Sequence, residues 1–269
     1  MGLIVLGSAK GAPGVTTCAL ALAAAWPGEV RPVVAETDVA GGDAMLRFGL
    51  PESPGLVSMA AAARRLGLTA SLVSEHAQRL PGGVEVVAAP AESAQCTAAL
   101  GALSPAWARA DLAGTLVLAD CGRLTTAPGT AEVVGAAGVV VLVSEGAVEA
   151  LAHTAEVAQR LRGLGRAVVV ALVGPCRWPA REVTVALDVS ACVMLPRDAV
   201  SAALLRGATP PKRRWRPAAR YPLLDAACSL AVELERLLHV PVAGSHQPEQ
   251  LPRTASAVGL ATALRGDQG

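Results

Sequence analysis

The chain has 269 residues, 52% hydrophobic and 17% charged, which is too apolar for a disordered chain and long enough to bury a sizeable core. Its net charge of +1 excludes a globally basic nucleic-acid binder and an acidic solvating tail. The mean hydropathy is +0.46, yet the longest apolar stretches, residues 18–26 and 136–143, fall short of the roughly 18–20 residues that span a bilayer, so no transmembrane segment is expected. Residues 18–26 have the look of a secretory signal core, but no basic segment precedes them and Gly11, Pro13 and Gly14 interrupt the approach, so a cleaved leader is not expected. The cysteines, at 18, 96, 121, 176, 192 and 228, form no C-x-x-C pair. That argues against a zinc site or a disulfide framework and for a reducing, cytoplasmic setting.

In chain order, residues 3–6 are an aliphatic run that stops at the Gly-rich stretch 7–14. An Ala/Leu-rich helical segment follows over 15–25, giving strand, loop and helix. Further strands are predicted at 32–35, 84–88, 116–119, 138–143 and 167–173. Helices are predicted at 55–66, 69–79, 94–110, 148–162, 199–206 and 223–238. Aromatic residues are only 2% of the chain, so small and branched aliphatics must build the core. Together these features predict an α/β fold with a doubly wound, mostly parallel sheet flanked by helices. Residues 208–222, rich in Pro and Arg, break the pattern, as do those from 241 onward, rich in Gly, Pro, Ser, Gln and Thr. The expected organisation is one domain over 1–240 and a flexible C-terminal tail over 241–269.

The strongest chemical signal is Lys10-Gly11-Ala12-Pro13-Gly14-Val15-Thr16-Thr17, between the first strand and the first helix. A glycine-rich loop there turns backbone N–H groups toward phosphate oxygens at the positive end of the helix dipole, and Thr16 stands where a hydroxyl ligates Mg²⁺. The generic pattern G-x-x-x-x-G-K-[ST] is broken twice. Val15 occupies the lysine position, and the first glycine falls at Ala9, with Gly7 nearby.

Here the sequence resembles the deviant-Walker-A ATPases of the ParA/MinD group, a P-loop NTPase family whose loop reads K-G-G-x-G-K-[ST]-T. The resemblance makes Lys10 the family's signature lysine, which bridges to the nucleotide of a partner subunit. Residues 33–43 are similar to the family's second motif, with Glu36 in the first acidic place and Asp38 in the second, the one implied to orient the attacking water or to approach the metal. Residues 115–122 resemble its Walker B strand, which implies that Asp120 supports Mg²⁺ through water. Leu195-Pro196-Arg197-Asp198 is similar to the segment beside the adenine, bringing Pro196 and Asp198 into the cofactor set, while Gly174 stands where the family usually has an asparagine that reads that base.

The resemblance implies a positioning or recruitment factor that binds ATP and Mg²⁺, forms a homodimer and engages a protein partner of the partition, pilus or secretion machinery. That partner would bring it to the cell pole or the inner membrane surface. A degenerate loop of this kind also resembles the TadZ/CpaE branch. Without the P-loop lysine, hydrolysis is expected to be slow or absent. An active ATPase of the same family and a nucleotide-free scaffold stay open as alternatives.

Plainer readings stand beside these. A Gly-rich turn is also what a tight strand-to-helix connection requires, Lys10 fits a solvated lysine, and Asp38, Asp43 and Asp120 fit caps or turn residues. Ser144-Glu145 fits the cap of the helix at 148 as well as a pocket wall. A buried Glu36 needs a partner. His76, His153, His239 and His246 are isolated and assigned to packing, and Cys121 to the core. Lys212, Arg213, Arg214, Arg216 and Arg220, interleaved with Trp215 and Tyr221, form a basic segment suited to nonspecific DNA, an anionic surface or an acidic partner, or simply to a solvated loop.

Overall fold

The structure, a computed structural model, describes residues 2–11, 13–208 and 221–238. Within them the chain runs β1 (Leu3–Ser8), α1 (Val15–Ala25), β2 (Val33–Glu36), α2 (Ala44–Phe48), α3 (Leu56–Leu66), α4 (Ala70–His76), β3 (Gln78–Arg79), β4 (Glu85–Val87) and α5 (Ser93–Trp107). It continues through β5 (Val117–Arg123), α6 (Thr130–Ala136), β6 (Val139–Gly146), α7 (Val148–Gly163), β7 (Ala167–Cys176), α8 (Ala180–Leu187), β8 (Ala191–Leu195), α9 (Ala199–Leu205) and α10 (Pro222–Leu238). The strands make one eight-stranded sheet in the order β3-β4-β2-β5-β1-β6-β7-β8. Every pairing is parallel except β3 with β4. This is the expected doubly wound α/β architecture.

The strand composition explains the layering. In a sheet covered on both faces, strands read as unbroken aliphatic runs whose alternate side chains enter opposite layers. Leu3 and Val5 of β1 join Val33, Val117, Val140 and Leu142 in a core closed by α3, α5, α7 and α8. Ile4 and Leu6 face the other way with Val34, Leu118 and Val141, under α1 and α10, which contribute Leu22, Leu230 and Leu234. β1 lies between β5 and β6, in register Ile4 with Leu118 and with Val139, and all its residues are buried.

Several expectations need correction. The helix predicted over 69–79 ends at His76, because Ala77 is extended and Gln78–Arg79 leaves to pair antiparallel with β4. Helices α2, α6 and α8 and strand β8 were not anticipated. β1 and β5 both run further than their aliphatic runs, so Gly7, Ser8, Asp120, Cys121 and Gly122 are strand residues. The tail at 241–269, the five basic residues of the 212–220 segment, His239, His246 and Ala12 lie outside the described residues.

Because the central strands are parallel, their carboxyl ends share one edge. The loop residues 9–11, 13–14, 37–43, 124–129 and 196–198 gather there, the place where open α/β sheets carry ligands.

Candidate functional site

At that edge the loop after β1 is anchored from below. The Ser8 hydroxyl donates to the carbonyls of Gly11 (3.3 Å) and Gly122 (3.4 Å), tying the loop to the end of β5. Gly11 and Gly14 adopt φ of 74° and 98°, left-handed conformations that side chains disfavour. Gly14 is the N-cap of α1 and supplies no side-chain cap. The first-turn amides of α1 and the positive end of its dipole therefore face the edge without a capping side chain.

Beside this loop is a cleft of about 340 Å³. Pro13, Gly14 and Thr17 form one wall, and Val173, Leu195, Pro196 and Arg197 another. Val15, where the P-loop pattern calls for lysine, is 5% exposed and belongs to the α1/α10 core layer.

The carboxylates at the strand ends divide into distinct roles. Glu36, 5% exposed, finds its partners in the backbone. One oxygen accepts from the amides of Asp43 (2.9 Å) and Ala44 (3.0 Å), the other from Ala89 (2.9 Å). It thereby fastens the end of β2 to the start of α2 and to the loop after β4. Burial raises its pKa and those amides oppose the shift.

Asp120, 3% exposed, is hydrogen-bonded by the Thr16 hydroxyl and accepts from the Gly122 amide at 3.1 Å. Burial, with the nearby charges of Glu36 and Asp38, pushes its pKa up to about 6 against the pull of those two donors. Asp38 is half-buried, lies against Gly122 and accepts from its own turn at the Ala40 amide (2.9 Å). Burial raises its pKa, and Asp43 adds to the rise.

The structure thus brings Asp38, Asp120 and Thr16 to one edge. Asp43 stands at the N-cap of α2, but its carboxylate pairs with Arg47 at 2.8 Å instead of capping. Ser144 and Glu145 do not cap α7, whose N-cap is Ala147. Ser144 instead takes a hydrogen bond from Thr154 (2.9 Å). Cys121 is a buried thiol whose pKa burial drives up to about 12, which keeps it unreactive.

Two relationships were invisible in the sequence. Lys10 is exposed, and its Nζ lies 3.3 Å from His153 Nε2 on α7, so this isolated histidine belongs to the site's rim. The two residues are 143 positions apart, and only the sheet order reveals the contact. Asp198, placed in the cofactor set by its motif, is committed elsewhere. It caps α9, accepting from the amides of Val200 and Ser201 (both 3.1 Å) and from the Ser201 hydroxyl. Pro196 lines the cleft. At the same wall Glu145 forms an ion pair with Arg197, whose side chain crosses Gly174.

The donor set fits a magnesium-bound polyphosphate. Mg²⁺ takes hard oxygen ligands, keeps several waters and needs few protein groups. A threonine hydroxyl backed by a buried carboxylate at a helix N-terminus meets that need. Among the described residues no cluster of three or more His, Cys, Asp or Glu makes an all-protein metal cage. No described helix is long and apolar enough to cross a membrane.

A parallel, doubly wound sheet with a glycine loop between β1 and α1 and acidic residues closing β2 and β5 is the fold of the ParA/MinD-type P-loop ATPases. Among solved structures the chain is similar to MinD of Pyrococcus horikoshii OT3 complexed with Mg-ADP (18% identity, TM-score 0.67), with 88% of this chain and 97% of that one covered. It is also similar to a ParA family ATPase of Chlorobium tepidum TLS (16%, 0.63; 87% and 98% covered). A third likeness is to the MinC:MinD cell division complex of Aquifex aeolicus (13%, 0.56; 95% and 99% covered). At these identities the shared property is the fold. No family model and no curated protein sequence matches the chain.

Proposed function

We propose that this protein is a nucleotide-responsive positioning factor that binds ATP with Mg²⁺ in the cleft beside α1, dimerises through the nucleotide-bearing edge and recruits a protein partner, turning ATP over slowly or not at all. The observation that carries the reading is the pairing of a furnished phosphate cradle with a buried Val15. What supports it is that the Thr16 hydroxyl meets the buried Asp120 at the start of α1, whose N-cap Gly14 brings no capping side chain, while Val15, at the position that would supply a lysine to the transferring phosphoryl group, is buried in the core. Binding can rest on amides and metal, but charge developing in transfer then lacks its preorganised cation, a loss that commonly costs orders of magnitude in rate.

In this reading the amides of Gly11, Gly14 and Thr17 would hold phosphate oxygens, with Ala12 and Pro13 in the same loop, Thr16 would ligate the metal and Asp120 would support it through water. Bound Mg²⁺ neutralises phosphate charge. Lys10, exposed beside His153, would reach the nucleotide of a second subunit, and Asp38 would position water in any residual hydrolysis. The MinC:MinD complex is the precedent for a protein partner, and such a partner would bring the chain to its place in the cell.

The test is thermal unfolding with and without ATP and Mg²⁺, together with elution volume. Ligand at about a hundred times its Kd stabilises by roughly 2.7 kcal/mol, a few degrees for a domain of this size. The expected result is that shift with movement toward a dimer, both lost in Thr16→Ala. No shift at millimolar ATP would sink the reading and leave a scaffold without nucleotide. Phosphate release that disappears in Asp38→Ala would instead make the protein an active ATPase.

A further inference from the structure

The side chains that line the cleft offer little to read an adenine with. Among them, Pro13, Val173, Leu195, Pro196, Ala199, Ala202 and Leu223 carry no hydrogen-bonding group. Cys18 is a buried thiol whose pKa burial raises to about 12. Asp198 is engaged by α9 through both carboxylate oxygens. Thr17 belongs to the phosphate loop. That leaves Arg197, which is 61% exposed and held by one terminal nitrogen on Glu145 of β6. Its aliphatic stem and Nε run across Gly174, a residue at φ 84° whose absent side chain makes room for the arginine. The guanidinium is thus held on the rim by one ion pair, with its stem passing over Gly174, N–H groups left over and no acceptor of its own.

A donor-only reader favours a base that presents acceptors. Guanine offers O6 and N7 side by side, the arrangement that arginine meets with two parallel hydrogen bonds, whereas adenine puts an amino group where O6 would be. Resting on the nucleotide reading above, we propose that Arg197, braced by Glu145 across Gly174, sets base selection in this cleft, so that the protein accepts guanine nucleotides at least as well as adenine nucleotides. Lysine in place of Arg197 would keep the charge but lose the planar fork that a two-bond contact needs.

The experiment is a pair of titrations of the full chain, with GTP and with ATP, each with Mg²⁺ and followed calorimetrically, on wild type, Arg197→Lys and Arg197→Ala. Arg197 is largely exposed, so neither substitution removes core packing. The expected result is a GTP Kd equal to or below that for ATP in the wild type. Both variants should lower the GTP-to-ATP affinity ratio about tenfold, in line with the discrimination of one bidentate contact. ATP binding tighter than GTP in the wild type, or a GTP-to-ATP ratio that both variants leave unmoved, overturns the proposal and leaves nucleotide binding standing. Failure of both nucleotides to bind overturns it together with the reading it rests on.

Discussion

Asp120 carries an electrostatic conflict at the strand ends. Its carboxyl is buried at the end of β5 with two other carboxylates near it, and its pKa stands at about 6 against an ordinary 3.8. A folded-state pKa above the unfolded one means that the fold prefers the protonated acid. The stabilisation is complete below the ordinary value and is lost as pH rises through about 6. Ionised Asp120 then costs the metal-free fold about 3 kcal/mol at neutral pH. In the presence of a chelator, urea unfolding should therefore show the wild type gaining on Asp120→Asn by up to about this amount between pH 7 and pH 4. A stability difference between the two that stays constant over that window would place the titration in the ordinary carboxylate range. This is also the conflict a bound cation relieves, which connects the local electrostatics to the proposed metal role. Glu36, buried just as deeply, resolves its charge differently, through the amides of Asp43, Ala44 and Ala89. It therefore acts as a clamp on the β2 end rather than as a chemical group.

At the scale of elements, α9 shows how a motif and a structural role can coincide on one residue. Asp198 follows the cleft-lining Pro196, but its oxygens are filled by the first turn of α9. Burial opposes its charge, yet the Ser201 hydroxyl and the amides of Ser201, Leu223 and Val200 outweigh burial and hold the carboxyl below its ordinary range. Asp198→Ala should cost about 1 kcal/mol in denaturant unfolding, with most of it retained by Asp198→Asn. A nucleotide affinity that drops in Asp198→Ala while stability holds would return the residue to the cofactor set. The elements that the sequence conceals are short ones. α2, α6 and α8 span five, seven and eight residues, one to two turns each, which a local pattern separates poorly from loop. β3 is two residues long and exists because β4 offers it an edge, so a local pattern reads it as the end of the preceding helix. β8, with most of its residues only half-buried, lacks the aliphatic density that marks β6 and β7. The long buried strands were legible as unbroken aliphatic runs and α1 from its Ala/Leu-rich composition, while α7 and α10, buried on one face, write a repeating signal into the chain. The glycine loop was legible for a related reason, since its backbone geometry demands particular residues. Lys10 beside His153 and Arg197 over Gly174 were not legible, because both depend on which strands lie next to each other.

The whole molecule sets a fully buried central strand directly beneath the edge that carries Asp38 and Asp120. β1 is paired on both sides and covered on both faces, and its end at Ser8 ties the glycine loop to β5. The margins are weaker, with two-residue β3 at one side and half-buried β8 at the other. Local opening follows burial and hydrogen bonding, so native-state hydrogen exchange should rank these regions. Peptides covering residues 3–8, 117–121 and 139–143 are expected to exchange slowest, and those at 78–79 and 191–194 faster. Adding ATP with Mg²⁺ should slow exchange over residues 9–17 and 195–202, the two walls of the cleft, and leave residues 78–87 unchanged. The β3/β4 margin serves as an internal control, because a second cleft of about 330 Å³ lies there, lined by Arg31, Arg79 and Glu85. Protection appearing at that margin instead would move the ligand away from the carboxyl edge of the sheet. It would also separate the nucleotide from Thr16 and Asp120, and the strand-end carboxylates would then be structural alone.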